Sequence, residues 1–279
     1  LTGDEASSRY SVMAYDWSPF FSSSYMVYDI AALQKIYGAN MSYHTGNDTY
    51  LTNSQLAYTI WDAGGTDTLD ASAQSGAVTL DLREGQYSSV GMIRNIGIAF
   101  GAVIENATGG SGNDILIGND ANNVLTGNAG NDIFVASKGA DTVIGGLGAD
   151  MLVFDDALSN FKITVQDTST LKLEDMSGLY GATTVSGVET LQFAGKNYAF
   201  SDLVAANSAS TVVEDISFSV MSSIKVKNKT QAVWTSIVSG DEGTTNYHGT
   251  DFKYGFANTV LTVDRHVTPD ADSLVVKIG

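Results

Sequence analysis

Large apolar residues recur every nine positions across the middle of the chain, and each lies two residues after an acidic residue or an asparagine. The apolar positions are Leu116, Leu125, Phe134, Val143 and Leu152. The polar positions that precede them are Asp114, Asn123, Asp132, Asp141 and Asp150. Residues 109–153 divide into five nine-residue units without an insertion or a deletion. This spacing matches G-G-x-G-x-D-x-U-x, a pattern typical of coiled parallel strands joined by calcium-binding turns.

Each nine-residue unit predicts a glycine-rich turn followed by a short strand whose apolar residue points into a core. The units begin at Gly109, Gly118, Gly127, Ala136 and Gly145. Glycine tolerates positive φ, so the turn is tight and its carbonyl oxygens converge. Calcium is a hard cation that binds oxygen ligands of this kind. Two units make one turn of such a coil, so alternate units stack and the turns fall into two ranks.

The first rank consists of the turns 109–114, 127–132 and 145–150, which all keep glycine at the fourth position and Asp at the sixth. We expect two calcium sites here, one in each gap between stacked turns. The candidate ligands are Asp114, Asp132, Asp150 and the glycines Gly109, Gly112, Gly127, Gly130, Gly145 and Gly148. Gly/Asn/Asp-rich segments can also be plain loops. The matching apolar positions disfavour that alternative.

The second rank consists of the turns 118–123 and 136–141, and it departs further from the pattern. The neutral Asn123 stands where Asp is expected, so we expect one weaker calcium site built around Asn123 and Asp141. Counting back from the first unit places Glu105 at the sixth position of a degenerate preceding unit on the same side. We expect Glu105 to supply the charge that Asn123 lacks.

The segments outside the repeat complete an all-β prediction. Apolar residues at helical spacing in 28–37, followed by Gly38, predict a short amphipathic helix packed against an apolar surface. Short strands are expected at 50–51, 56–60 and 78–82, and hairpins at 161–173 and 188–200. A coil of stacked strands needs a cover over its last apolar turn. The sequence thus predicts a parallel β-roll (an RTX solenoid) with an antiparallel β cap, preceded by a short helix and an irregular segment.

A further glycine turn lies before the repeat, in the sequence WDAGGTDT at 61–68. Asp62, the backbone of Gly64, and Asp67 could surround a calcium ion there. An ordinary hairpin turn explains the same residues nearly as well.

Composition limits the classes of function. The chain has 14 Lys and Arg against 31 Asp and Glu, a formal net charge of -17, which argues against nucleic acid or an anionic membrane as a partner. Cysteine is absent, so no disulfide can stabilise the protein. The longest mainly apolar stretch, 92–104, contains Arg94 and is too short to span a bilayer. Several calcium ions would offset the repulsion among the acidic groups.

Five stretches together resemble one protein family, the serralysins, which are secreted bacterial zinc endopeptidases of the metzincin group. They are YSVMAY at 10–15, DIAALQKIYGAN at 29–40, WDAGGTDT at 61–68, IENA at 104–107, and the repeat itself. The resemblance is close from residue 10 to about residue 155 and covers the passage from a protease domain into a C-terminal domain. It favours the calcium interpretation of Asp62 and Asp67, with carbonyl oxygens of 44–49 as further ligands.

The resemblance assigns a zinc-site role to two residues of the first stretch. Met13 would be the methionine beneath the zinc, and Tyr15 the tyrosine that can approach it. The family takes its zinc ligands and catalytic Glu from H-E-x-x-H-x-x-G-x-x-H, and this sequence contains no H-E-x-x-H. Its histidines, His44, His248 and His266, are scattered, and we expect ordinary surface or core roles for them. Zn²⁺ is therefore expected only if another chain provides a catalytic half, and this chain alone is not expected to be an active peptidase.

The sequence suggests three regions. Residues 1–42 would be a remnant of the protease domain, 43–205 the calcium-binding roll with its cap, and 206–279 a β-rich C-terminal region with an export signal. The acidic-then-aliphatic DSLVV at 272–276 resembles the tails of proteins exported by ATP-driven one-step secretion systems. The expected partners are accordingly that secretion apparatus and the missing protease half, or another protein, and the expected location is extracellular.

Alternative functions stay open at this point. The chain can be a fragment, a cleaved product or one half of a two-chain protein. It can also be a non-catalytic secreted RTX module for binding or adhesion. A repeat module appended to a lipase or an epimerase is disfavoured, because 11–15 and the following helix resemble the peptidase specifically.

Overall fold

The computed structural model describes residues 10–13, 23–52 and 55–208, together with the strand segments 218–226, 229–237, 252–253, 260–263 and 276–278. The chain divides into two compact units, Leu1–Asn207 and Ser208–Gly279. Both units consist mostly of β-strands where they are described, in agreement with the predicted class.

Helix α1 (Val27–Tyr37) precedes the strands of the first unit, and helix α2 (Phe200–Ser208) follows them. In chain order the strands are β1 (Thr49–Leu51), β2 (Tyr58–Ile60), β3 (Thr68–Asp70), β4 (Val78–Asp81), β5 (Tyr87–Val90), β6 (Met92–Ile98), β7 (Asn106–Thr108), β8 (Ile115–Ile117), β9 (Val124–Ala129), β10 (Ile133–Val135), β11 (Ala140–Leu147), β12 (Met151–Phe154), β13 (Phe161–Asp167), β14 (Thr170–Asp175), β15 (Ala182–Ser186), β16 (Thr190–Phe193) and β17 (Lys196–Ala199).

These strands form two sheets that are largely parallel. One has the order β1-β3-β7-β9-β11-β15-β14-β13, and the other β17-β16-β12-β10-β8-β4-β5-β6-β2. Consecutive strands of the repeat enter the two sheets alternately, so each pairs in parallel with the strand two units later. In β8, β10 and β12, for example, Leu116 lies opposite Phe134, and Phe134 opposite Leu152. The arrangement is consistent with the predicted β-roll.

The core lies between the sheets and consists of the apolar residues that recur in the sequence. Leu116, Leu125, Phe134, Val143 and Leu152 are all at most 1% exposed. The strand residue before each of them is much more exposed to solvent; Ile133, for example, is 39% exposed. This alternation is the period-two pattern of a strand with one buried face. Burying each large apolar side chain contributes about 1.5–3 kcal/mol, so the stacked column is the main stabilising element of the roll.

Antiparallel strands end both sheets on the C-terminal side, as predicted. β13 and β14 form a hairpin that pairs with β15, and β16 forms another with β17. Before that point, β15 and β16 continue the parallel stacking by one further strand in each sheet. Phe154, Phe161 and Phe193 pack together at this end, with ring centroids 4.7 to 5.1 Å apart. Helix α2, which follows β17, is not anticipated by the sequence pattern.

Helix α1 forms where the sequence predicts it, and Gly38 ends it with a φ of 83°. The described residues leave most of its apolar face uncovered, so the expected apolar partner is not found among them. Its first turn makes the contacts, since Val27 is fully buried and the Tyr28 ring stacks 6.4 Å from Phe100. Farther along the helix the apolar residues are open: Leu33, Ile36 and Tyr37 are 39%, 69% and 81% exposed.

The second unit contains strands β18 (Phe218–Val226), β19 (Lys229–Ile237), β20 (Phe252–Lys253), β21 (Val260–Val263) and β22 (Val276–Ile278). β18 pairs antiparallel with β19, and β21 pairs antiparallel with β20 and β22. Throughout the described part of the chain, every helix is too short or too polar to cross a membrane.

Candidate metal centre

A ladder of backbone amides and carboxylates runs along the first rank. The amide of Asp114 donates to Oδ1 of Asp132, and the amide of Asp132 to Oδ1 of Asp150, both at 2.8 Å. The ladder is longer than the repeat predicts. The Val78 amide donates to Asp114 Oδ1 at one end, and the Asp150 amide donates to Oε2 of Glu189 at the other. Each acidic side chain is therefore fixed by the turn stacked beside it.

The second oxygen of these carboxylates is left without a partner at two positions. Asp132 and Asp150 are 0% and 1% exposed, yet Oδ2 of each finds no hydrogen-bond partner among the described residues. Oδ2 of Asp114 accepts a bond from the Gly110 amide at 2.6 Å. Buried polar atoms are nearly always hydrogen-bonded. Two unpaired carboxylate oxygens in one ladder therefore indicate a ligand that supplies positive charge.

Carbonyl oxygens of the neighbouring turn lie close to the Oδ2 atoms of these carboxylates. A methyl group added to Gly109 would lie 2.6 Å from Asp114 Oδ2 and 2.7 Å from the Gly127 carbonyl oxygen. One on Gly127 would meet Asp132 Oδ2 and the Gly145 carbonyl, and one on Gly145 would meet Asp150 Oδ2 and the Gly187 carbonyl. Glycine is thus the residue that leaves room for two hard oxygens beside each first position. The donor set and the gaps fit calcium.

The glycines at the fourth position of the first rank also stack closely. A methyl group on Gly130 would overlap the Gly112 carbonyl oxygen, and one on Gly148 would overlap the Gly130 carbonyl. Both glycines have positive φ, 120° and 143°. The structure therefore brings together the first-rank residues predicted as ligands, and it adds the gap between 145–150 and 187–189 as a third place of the same kind.

Without a bound ion, the buried surroundings of these carboxylates disfavour their charged form. Burial raises the pKa of Asp132 to about 6, against the hydrogen bond from the Asp114 amide, which lowers it. The neighbouring charges of Asp114 and Asp150 raise it further. Burial is also the largest cause of the raised pKa values of Asp114, Asp141 and Asp150.

In the second rank, neighbouring protein groups provide hydrogen-bond partners for the polar side chains. The Asn123 amide donates to Asp141 Oδ1 at 2.9 Å, and the Ser137 hydroxyl donates to Asp141 Oδ2 at 3.0 Å. Nδ2 of Asn123 donates to the backbone carbonyl of Glu105. The Glu105 carboxylate instead accepts a bond from the Asp67 amide at 2.7 Å. This corrects the expectation that Glu105 compensates for the neutral Asn123, because its carboxylate is directed to the preceding turn.

The turn before the repeat is built on the same plan. Asp62 is 1% exposed and accepts the Gly64 amide at 2.8 Å. Asp67 Oδ1 accepts the Asp48 amide at 2.7 Å, while Asp67 Oδ2 is buried and has no partner among the described residues. A methyl group on Gly65 would overlap the Gly46 carbonyl oxygen. The predicted Asp62, Gly64 and Asp67 therefore lie together, with one carbonyl of the expected 44–49 loop beside them.

Sequence reasoning missed three side chains near these sites, those of His44, Asp48 and Glu189. Two of them carry a signal that was available. Asp48 precedes Tyr50, and Glu189 precedes Leu191, at the same acid-x-apolar spacing as in the repeat. Neither stands in a glycine-rich hexad, so the pattern G-G-x-G-x-D does not find them.

The segment that resembles the zinc-site turn is anchored to helix α1. The Ser11 hydroxyl donates to Asp29 Oδ1 at 2.6 Å, and the Val12 amide donates to Asp29 Oδ2 at 2.8 Å. Met13 is 78% exposed. Tyr15 and the tail at 272–275 lie outside the described residues.

Residues 28–233 match the protein-family model described as "Peptidase M10 serralysin C terminal". The chain is 43% identical over 136 residues to Serralysin B of Dickeya chrysanthemi, an alignment that covers 40% of this chain and 28% of that protein. It is 42% identical over 139 residues to Serralysin of Photorhabdus luminescens, covering 42% of this chain and 29% of that protein. The chain thus spans less than a third of the length of these relatives.

Among solved structures, the chain is similar to the extracellular lipase LipA from Serratia marcescens. The two are 34% identical over 31% of this chain and 14% of that chain, with a TM-score of 0.29.

Proposed function

Since this chain belongs to the peptidase M10 serralysin C-terminal family, we propose that residues 43–205 form a calcium-binding RTX β-roll. In this proposal the chain is the C-terminal portion of a serralysin-like secreted zinc endopeptidase, and the roll folds when it binds calcium after secretion. One observation carries it. Asp132 Oδ2 and Asp150 Oδ2 are buried, have no partner among the described residues, and lie beside the carbonyl oxygens of the next turn.

The residues that would hold calcium are the carboxylates of Asp114, Asp132 and Asp150 with the carbonyl oxygens of Gly127, Gly145 and Gly187. Bound calcium would supply the positive charge that these buried oxygens lack. Backbone amides already hold these carboxylates: those of Val78, Asp114 and Asp132 donate to Oδ1 of Asp114, Asp132 and Asp150, each at 2.8 Å. Ligands oriented in this way lose little further conformational freedom on binding, which favours affinity.

Folding and binding are coupled in this account because each site lies between two turns of the coil. The ligands approach one another only after the turns have stacked, so binding free energy becomes folding free energy. A ligand present at about 100 times its Kd stabilises the folded chain by about 2.7 kcal/mol per site. Several sites together would make folding depend on the calcium concentration.

Calcium-dependent folding also suits export. At the low calcium concentration of a bacterial cytosol the chain would stay unfolded, and it would fold outside the cell. Metal cross-links of this kind would take the place of disulfides, since the sequence has no cysteine. The DSLVV segment at 272–276 would be read by an ATP-driven secretion apparatus.

Peptidase activity would require a protease domain that supplies H-E-x-x-H, a motif this sequence does not contain. We place the contact with that domain on the open face of α1 at Leu33, Ile36 and Tyr37. Such an apolar patch next to the anchored 11–13 segment is typical of an interface.

A reconstitution assay tests the interface. The chain is mixed with a zinc-loaded protease half, and complex formation and caseinolysis are measured. Ile36→Asp should abolish both, because it would bury a charge in the contact. Met176→Asp is the matched control, since Met176 is also apolar and 76% exposed. Equal binding by both variants would place the interface elsewhere, and binding without caseinolysis would favour the non-catalytic module.

Calcium titration calorimetry on the full chain tests the metal sites. Asp132→Asn should lower calcium affinity by about tenfold or more, which corresponds to about 1.4 kcal/mol. Asp141→Asn should cost less, because both oxygens of Asp141 already have protein partners. The control is Asp120→Asn, a surface residue paired with Lys138. Equal losses for Asp132→Asn and Asp141→Asn would contradict the assignment of the stronger sites to the first rank.

A further inference from the structure

Arg94 lies in a bulge of the β5–β6 hairpin and has a backbone conformation that is unusual for its residue type. The register of the two strands shifts between Ser88 and Val90, where β5 supplies Ser89 and β6 supplies 93–95. The φ of Arg94 is 54°. A long side chain is strained in this left-handed region, whereas glycine is not. Bulges often re-aim a side chain next to a functional site.

Hydrogen bonds on both sides of the bulge hold Arg94 in this conformation. The Arg94 amide donates to the Ser89 hydroxyl at 2.9 Å. The next residue, Asn95, is 1% exposed and accepts the Val90 amide at 2.9 Å. Nδ2 of Asn95 donates to the carbonyl oxygen of Leu56 at 3.0 Å. The bulge is therefore anchored in the roll, and the base of the Arg94 side chain is fixed.

The Arg94 side chain contacts the segment that resembles the zinc-site turn. Its Nη1 donates to the Tyr10 hydroxyl at 2.8 Å. The Tyr10 ring stacks on Tyr28 of α1, with ring centroids 5.7 Å apart, and lies edge-on to Tyr87 of β5 at 5.1 Å. Tyr10 is thus held by helix α1 and by both strands of the hairpin.

Tyr10 leads directly into residues 11–13, which α1 also holds. The Tyr28 amide donates to the Tyr10 carbonyl oxygen at 3.0 Å. The Asp29 carboxylate accepts bonds from the Ser11 hydroxyl and the Val12 amide. The bond from Arg94 adds an attachment to the β5–β6 hairpin, so the segment is fixed relative to the roll as well as to the helix.

We infer that Arg94 is a positioning residue for the zinc-site turn, because it fixes Tyr10 and so sets where the segment that carries Met13 stands relative to the roll. The inference rests on the proposed function, since it takes 10–13 as part of a peptidase zinc site. Met13 is 78% exposed, which leaves it open to a protease domain. This role accounts for the strained arginine. Glycine at position 94 would relieve the backbone but could not reach Tyr10.

The contact connects the zinc-site turn to the calcium-binding repeat. Strand β5 pairs with β4, and β4 pairs with β8 of the repeat. The Val78 amide at the start of β4 donates to Asp114 Oδ1 in the first rank. Arg94 therefore reaches Tyr10 only after these strands have stacked, so the calcium-loaded roll would order the zinc-site turn.

Hydrogen exchange of the full chain in saturating calcium tests the inference. Arg94→Gly removes the donor and tolerates a φ of 54°, so the Val12 amide should exchange about tenfold faster. The Asp132 amide in the ladder should keep its exchange rate, and the thermal midpoint should not fall. A change that merely weakened the roll would speed exchange at both amides.

Tyr10→Phe is the complementary variant, because it keeps the ring and removes the hydroxyl. Its effect on the Val12 amide should equal that of Arg94→Gly, and the double variant should exchange no faster than either, since both changes remove the same bond. The matched control is Tyr58→Phe, which removes a hydroxyl that donates to the Leu51 carbonyl oxygen and should leave Val12 unaffected.

Caseinolysis by the chain reconstituted with a zinc-loaded protease half gives a second readout. Arg94→Gly should lower kcat by about tenfold and leave KM unchanged, because a misplaced turn disturbs the zinc site while the substrate cleft belongs to the protease half.

Four results would overturn the inference: an unchanged Val12 exchange rate in Arg94→Gly, an equal acceleration at Asp132, additive effects in the double variant, or an unchanged kcat. A wild type that shows the expected exchange pattern but never becomes active would instead contradict the proposed function and support the anchoring of Tyr10 by Arg94. Failure of the inference and failure of the proposed function are therefore separate outcomes.

Discussion

Oδ2 of Asp132 is the atom on which the stability of the first rank depends most directly. It is buried without a hydrogen-bond partner among the described residues, as are Asp150 Oδ2 and Asp67 Oδ2. A buried acceptor without a partner costs about 1–3 kcal/mol, and more when it is charged. The whole free energy of unfolding of a domain is about 5–15 kcal/mol. Three such groups would remove most of it, so the calcium-free chain should not hold this fold at neutral pH.

Protons should compete with calcium at Asp132. Burial raises its pKa from 3.8 to about 6 in the ion-free fold, so the neutral carboxyl is the form that this fold tolerates. This contribution to calcium-free stability is present below pH 3.8, and it is lost as the pH rises through about 6. The unfolded chain keeps the ordinary pKa, so lowering the pH from 7 to 5 protonates Asp132 in the fold and favours the fold over the unfolded chain. We expect the β-strand circular dichroism signal of the calcium-free chain to rise as the pH falls through about 6.

Asp132→Asn is the control for this pH dependence, because it removes the titrating group. The signal of the calcium-free variant should change less between pH 7 and pH 5. A wild-type signal that is equal at the two pH values would contradict the raised pKa of Asp132 in the fold.

The elements of the roll depend on the turns that stack their strands. Gly130 has a φ of 120°, and a methyl group there would overlap the Gly112 carbonyl of the adjacent turn. Gly130→Ala should therefore destabilise the calcium-loaded chain by about 2 kcal/mol or more, since backbone strain and overlap add. The measurement is the thermal midpoint in saturating calcium.

Gly76→Ala provides the comparison for that substitution. Nothing lies within 4 Å of a methyl group at Gly76, and its φ is not in the left-handed region. It should shift the midpoint by little or raise it slightly. If Gly130→Ala is tolerated as well as Gly76→Ala, the close stacking of the turns is wrong.

The elements of the repeat could be predicted because one physical rule governs them all. A strand with one buried face must place its large apolar residue at a fixed distance from the turn, and Leu116, Phe134 and Leu152 obey that rule at 0% exposure. β15 and β16 extend the same stacking without the glycine consensus. Val185 and Leu191 fill the core there, and Glu189 ends the ladder of amides and carboxylates. The spacing of apolar core residues therefore continues beyond the turns that keep the glycine consensus.

Helix α1 and the 43–48 loop show where prediction from sequence ends. Periodicity identifies an apolar face at Leu33 and Ile36, but it cannot say whether a partner covers that face. In the same way, no local motif joins His44 to Asp62, because the contact depends on how two loops are held by the Ala63 amide. Both features follow from long-range packing, which short-range spacing does not encode.

At the scale of the whole molecule, charge and length point the same way. A net charge of -17 opposes compaction, and each bound calcium would offset two of these charges. The chain covers less than a third of its serralysin relatives, and α1 presents an uncovered apolar face. A folded, calcium-loaded roll with one open interface accounts for these features together.

Far-ultraviolet circular dichroism of the full chain, recorded in a chelator and again after calcium is restored, measures whether the roll folds without calcium. The chain should give an unfolded spectrum in the chelator and a cooperative return of the β signal as calcium is added. Magnesium at the same concentration is the control, because it retains its waters and prefers octahedral geometry. A β-strand spectrum that survives complete removal of calcium would show that calcium binding does not drive folding.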